Sequence, residues 1–192
     1  SQMSMVDDGV GQVLSALTRN HLDNTLVIYT ADHGFSLGHN GFWGHGQACW
    51  PSSPHHASFN IPLILSHTNR ITGKRKSEAM VSGVDLFATI LDYVGLNSEL
   101  DGSTSASRSF VPVLQDDSAD WQNRVFMEQE ETRAIRTPQW LYMKRFKGSE
   151  TFPLEDELYD LQNDPNEESN LLADGEPPSI SAELDKQLDT FF

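Results

Sequence analysis

Apolar residues recur every three or four positions at the start of the chain, where Val6, Val10, Val13, Leu14 and Leu17 share one face. That repeat predicts an amphipathic helix over residues 4–19, closed by a turn at 21–24. The pattern then changes. Leu26 to Tyr29 is an unbroken apolar run, β-branched and aromatic, and predicts a strand over 25–31 of the kind buried in a parallel sheet. Residues 60–66 predict a second core strand, with Pro62 tolerated near its start. Phe87, Ile90, Leu91 and Val94 return to helical spacing over 85–94, and Gly95 is a suitable C-cap. A helix-then-strand step belongs to a doubly wound α/β sheet.

The second part of the chain reads differently. Polar breaks at 102–109 and 116–120 precede four short strand-like runs, 124–127, 133–136, 140–144 and 157–161. Their spacing predicts a small antiparallel sheet, with Trp140, Tyr142 and Tyr159 on its buried face. Pro177-Pro178 introduces a closing helix over 180–191 that carries Ile180, Leu184 and Leu188. Two parts follow, an α/β part over 1–117 and an α+β subdomain over 118–192.

Charge narrows the partners. A formal net charge of −15 leaves little to neutralise a phosphate backbone and argues against nucleic acid. A single cysteine, Cys49, excludes an internal disulfide, and no apolar run reaches membrane-spanning length. The chain opens directly on a helical pattern without a leader, which is the expectation for a piece of something longer.

Between the two predicted core strands lies a loop, 32–60, holding five of the seven histidines: His33, His39, His45, His55 and His56. Long loops of this kind are functional or disordered, and the glycine and aromatic content here argues for order. Its first residues, Asp32-His33-Gly34, stand at the carboxyl end of a strand, the edge where open α/β sheets bind ligands. A carboxylate suits a hard cation, whereas an imidazole nitrogen suits zinc or manganese better than calcium. The plainer alternative is that Asp32 caps the following turn and His33 packs against it.

Thr30-Ala-Asp32-His33-Gly34, then Leu37-Gly38 and Gly41-Phe-Trp43-Gly44, resembles the metal-binding loop of the sulfatases in the alkaline-phosphatase superfamily. The likeness extends to the helix before it (6–11), the strand 61–65 and the helix 84–91. It also covers Ala134-Ile-Arg136-Thr and the segment 158–171, which are similar to strands of the sulfatase C-terminal subdomain. The resemblance implies an alkaline-phosphatase-like fold, of which this chain is the C-terminal portion. It implies that Asp32 and His33 are ligands of one divalent metal, usually calcium, with further carboxylates from near the N-terminus. The family nucleophile is a formylglycine, made from Cys or Ser in a Cys/Ser-x-Pro-x-Arg motif that lies before the Asp-His loop. Cys49-Trp-Pro-Ser-Ser53 lies after that loop and has Ser53 in place of the arginine, so Cys49 reads as an ordinary thiol.

One position departs from the family. Many sulfatases have a lysine after the Trp-Gly step that touches the sulfate ester, and here His45 stands instead. A protonated histidine could stabilise charge on the sulfate, or donate a proton to the departing alkoxide. His55 and His56 are candidates for the substrate mouth, an exposed pair in a Pro/Ser turn being the alternative. Arg133, Arg136 and Lys144 offer a basic rim for a sulfated glycan, and pairing with Glu128, Glu130 and Glu131 is the plainer reading.

The expectation is therefore a sulfuric ester hydrolase, dependent on a metal and a formylglycine, with a sulfated carbohydrate as one candidate substrate. The chain alone is expected to be inactive, and family habit suggests a periplasmic or secreted protein. Two rivals remain: a phosphodiester or phosphonate monoester hydrolase on the same fold, and a non-catalytic binding module. Oligomeric state is not legible.

Overall fold

A computed structural model describes residues 2–45, 50–71, 73–96, 105–116, 119–146, 154–173 and 177–192. Cys49 and the expected boundary at 117 lie outside the described residues. Two compact units emerge: Ser1–Ala31 with Pro62–Lys76, and Asp32–Ile61 with Ser77–Phe192. The second carries chain from both sides of residue 117.

The first unit holds helix α1 (Gln2–Arg19) and strands β1 (Val27–Thr30) and β2 (Leu63–Ser66). β1 and β2 pair antiparallel, Val27 opposite Ser66 and Thr30 opposite Leu63. This corrects the expectation of a parallel neighbour for β1. An apolar run identifies a strand, but its direction relative to a partner depends on how the chain returns. His67 and Asn24 close the base of the pair with a side-chain hydrogen bond of 3.1 Å.

In the second unit, β3 (Val125–Gln129), β4 (Thr132–Arg136), β5 (Trp140–Arg145) and β6 (Glu157–Asp160) form an antiparallel sheet in sequence order. Both of its faces are buried. Ile135, Tyr142 and Leu158 pack against Leu184 and Leu188 of the last helix, α5 (Ile180–Phe191), with Trp140 alongside. Ala134, Leu141, Met143 and Tyr159 form a second cluster on the opposite side. The expectation of one buried face is corrected accordingly, because Leu141-Tyr142-Met143 is a continuous apolar run and not an alternation. His55 stands edge-on to the Tyr159 ring at 5.4 Å, so the loop from the candidate site covers part of this second face.

Helix α2 (His56–Phe59) is a single turn, and α3 (Asp85–Tyr93) and α4 (Val111–Gln115) pack together. The register of α3 differs from its apolar pattern. Asp85, Ala88 and Thr89 are buried, while Phe87, Ile90 and Val94 are exposed. The polar residues point inward because they have partners there. The Asp85 carboxylate accepts from the backbone N–H groups of Ser82 and Arg108, both at 2.9 Å, and the Thr89 hydroxyl accepts from the Phe110 N–H at 3.0 Å.

Candidate metal and sulfate site

Asp32 follows two residues after β1 ends, and its carboxylate Oδ1 accepts the His33 backbone N–H at 2.9 Å. That main-chain hydrogen bond holds the Asp32 carboxyl below its ordinary range, so it is an anion at neutral pH. His33 Nδ1 lies 2.8 Å from the Gly34 carbonyl oxygen. A carbonyl only accepts, so Nδ1 carries a hydrogen, and in the neutral ring Nε2 would keep its lone pair. Nε2 in turn lies 3.6 Å from Asp32 Oδ2. A carboxylate oxygen and an imidazole nitrogen are thus side by side and open to solvent.

His45 completes the group. Its ring stacks on that of His33, with centroids 4.3 Å apart and planes 27° from parallel. The loop is folded back to allow this: Ser36 N–H donates to the Gly44 carbonyl at 2.9 Å, and Gly38 N–H to that of Phe42 at 2.7 Å. Gly38 adopts φ 95°, and Asn40, although not a glycine, adopts φ 54°. Gly34 is required for a different reason. Its N–H donates to the Ser58 carbonyl at 2.8 Å, and a Cβ there would sit 2.2 Å from the Ala57 carbonyl oxygen.

His55 and His56 are placed otherwise. His55 is buried, which removes the alternative that both are exposed, and its Nδ1 donates to Glu167 Oε2 at 2.8 Å. The His56 side chain is exposed, and its backbone N–H donates to the same oxygen at 3.0 Å. Partial desolvation, with repulsion from Arg136, lowers the His56 pKa and keeps its imidazole neutral near pH 7. Glu167 also accepts from Arg136 at 2.5 Å. Burial alone would raise the Glu167 carboxyl, but the hydrogen bonds from His55 and Arg136 outweigh it and bring it to about 2.

The basic residues of the sheet are paired. Arg133 meets Glu128 at 2.8 Å, as the plainer reading had it, but Arg136 meets Glu167, and Lys144 meets Asp185 and Asp189 at 2.6 and 2.8 Å. Glu131 binds Ser52 through its N–H at 2.5 Å and its hydroxyl at 2.9 Å, beside Arg145. Sequence reasoning gave Glu167, Ser58 and Glu131 no part in holding the loop. The one available signal was the Asp164-Pro-Asn-Glu167 run, which falls within the 158–171 segment that resembles the sulfatase C-terminal subdomain.

The donor set can be tested for a metal. Asp32 and His33 offer two adjacent donors without rearrangement, which fits part of a coordination sphere. Calcium takes 6–8 oxygen ligands, and among the described residues no group of three or more His, Cys, Asp or Glu could hold an ion. Two donors fall short of a coordination sphere, so a metal held by this pair would need further ligands from elsewhere.

The sulfatase family model matches residues 1–96, and the model of the N-sulphoglucosamine sulphohydrolase C-terminal region matches 53–191. The chain belongs to the sulfatase family. An N-acetylglucosamine-6-O-sulfatase of Bacteroides thetaiotaomicron is 30% identical over 93% of this chain and 32% of its own length. Arylsulfatase K of Rattus norvegicus is 30% identical over 95% of this chain and 32% of its own. A protein solved with its substrate D-glucosamine-2-N,6-O-disulfate superposes with a TM-score of 0.81 at 27% identity, covering 96% of this sulfatase chain and 37% of that one. The chain thus spans about a third of the length of the curated relatives it matches. The alkaline-phosphatase-like fold expected from the sequence is the fold of these relatives.

Proposed function

We propose that the protein carrying this chain hydrolyses a sulfate ester, with Asp32 and His33 holding part of a divalent metal site and His45 contacting the sulfate group. The observation that carries this reading is the stacked Asp32–His33–His45 group, set in a segment that belongs to the sulfatases. Calcium is the proposed metal, and a formylglycine supplied from outside these residues is the proposed nucleophile. When bound, the metal supplies positive charge that steadies the sulfate oxygens.

This chain's own residues are proposed to bind and orient. Asp32 contributes a full negative charge to the cation, and its hydrogen bond to the His33 N–H fixes its direction. Gly34 O fixes the tautomer of His33, leaving Nε2 free toward Asp32. His45, held against His33, can donate a hydrogen bond to a sulfate oxygen or a proton to the departing alcohol. His56, exposed and neutral, is proposed at the rim of the substrate mouth, and the buried His55 is proposed to support it from behind.

The substrate proposed is a sulfated amino sugar or a glycan that contains one, since a curated relative is named for such a sugar and a similar structure holds one as its substrate. Export to the periplasm or outside the cell is proposed on family grounds; no helix among the described residues is long and apolar enough to cross a membrane. The test is turnover by the complete protein of matched sulfate and phosphate esters of glucosamine. Sulfate release that exceeds phosphate release supports the proposal. Preference for the phosphate or phosphonate ester would move the protein to the phosphoesterase reading, and turnover of neither to the binding module.

A further inference from the structure

The site loop is short of regular structure, yet its three site residues are held in one arrangement. The bonds that hold it converge on one side chain. Glu167 sits in the turn after β6, where its own N–H donates to the Asp164 carbonyl at 3.1 Å. The Asp164 carboxylate accepts from the N–H groups of Glu168 and Ser169, so the turn is fixed on both sides of Glu167. Glu167 adopts φ 60°, a left-handed conformation that non-glycine residues keep only where the surroundings impose it. Its carboxylate is buried at 1% exposure and fully partnered, by Arg136 on one oxygen and by His55 and the His56 N–H on the other.

Two arms run from Glu167 into the site. The first passes through His55, whose carbonyl accepts the Ser58 N–H at 3.0 Å. Ser58 then accepts the Gly34 N–H on its carbonyl, and its hydroxyl meets that of Ser36 at 2.7 Å. Gly34 is the residue whose carbonyl sets the His33 tautomer. The second arm is Asn40, whose side-chain NH2 donates to the Glu167 carbonyl at 2.8 Å and to that of Asn166 at 2.9 Å. Asn40 lies inside the 36–44 loop that carries His45 back onto His33.

We infer that Glu167 is a positioning residue for the Asp32–His33–His45 group, acting from the C-terminal subdomain through the His55 turn and Asn40. It sets the relative placement of the two metal-facing donors and the stacked His45 without touching any of them. The bonds of Glu131 provide the contrast. They anchor the same loop to the same sheet at Ser52 and Arg145, but they do not lead on to Gly34.

What the positioned group does rests on the sulfatase reading; that Glu167 positions it does not. The experiment therefore reads both, in the complete protein. Amide hydrogen exchange at Gly34 and Ser58 is compared between wild type and Glu167→Gln, together with calcium affinity by calorimetry. Gln keeps the volume but cannot accept from both His55 and Arg136. We expect exchange at Gly34 and Ser58 to rise at least tenfold, and calcium affinity to fall about tenfold, with β3–β6 amides unchanged. Glu131→Gln should leave Gly34 exchange near the wild-type rate, and Glu167→Asp should recover part of the loss. Should Glu167→Gln fail to fold, Asn40→Ala severs the second arm alone, with severalfold faster exchange within 36–44 and weaker calcium binding expected. Wild-type exchange at Gly34 in folded Glu167→Gln, or wild-type exchange and affinity in Asn40→Ala, would overturn the inference. If the wild-type protein binds no calcium, the metal reading fails, and the exchange data still decide the positioning.

Discussion

Gly34 has less room for a side chain than Gly38 or Gly41 in the same loop. Its position 2.2 Å from the Ala57 carbonyl, measured to where a Cβ would stand, leaves no room for a side chain. Gly34→Ala is expected to cost about 1–3 kcal/mol, the range for overpacking, and to lower the melting temperature by differential scanning calorimetry. Glu167 gives a pH signature. Its carboxyl stands at about 2 in the folded chain against an ordinary 4.5. A depressed folded value means that the stabilisation is complete above the unfolded value, and is lost as pH falls from 4.5 toward 2. Glu167→Gln should be less stable than wild type at neutral pH and should lose less on acidification through that window. Chemical denaturation at a series of pH values checks this; parallel curves for the two proteins would contradict it.

Among the elements, the four-stranded sheet has the most to lose from a single change. Leu188 is fully buried against Ile135, Tyr142 and Leu158, so Leu188→Ala should cost about 2–5 kcal/mol. Urea unfolding followed by tryptophan fluorescence measures it, and a loss below 1 kcal/mol would mean that α5 is not the cover of that face. The elements themselves were largely legible. The strand–loop–strand order around 25–66, the four strands beyond 124 and the closing helix all follow from apolar spacing. What was not legible came from partners distant in sequence. Helix α3 turns Asp85 and Thr89 inward because residues 108–110 offer them hydrogen bonds, and the spacing of apolar residues does not register such partners. Both faces of the sheet are covered, one by α5 and the other in part by the loop at His55, and a strand pattern cannot name its cover.

At the scale of the whole molecule, the chain is a sulfatase segment in which one loop carries the proposed chemistry and the turn after β6, far away in sequence, holds that loop. Asp32 and His33 were readable as candidates because acid and imidazole follow a strand at once; the Asp32 carboxylate accepts the next backbone N–H, and its second oxygen lies 3.6 Å from the His33 ring. The partner of His55 was not readable, since Glu167 lies 112 residues further on. The central claim is that Asp32 and His33 serve a metal on which sulfate release depends. The most direct test follows sulfate release from glucosamine 6-sulfate by the complete protein across a calcium titration, in wild type and Asp32→Asn. Chelation is expected to abolish release in wild type, and calcium to restore it. Asp32→Asn should lose at least 100-fold in rate, or need far more calcium to reach half-maximal release. Turnover that survives chelation, or an Asp32→Asn variant with wild-type calcium dependence, would contradict it.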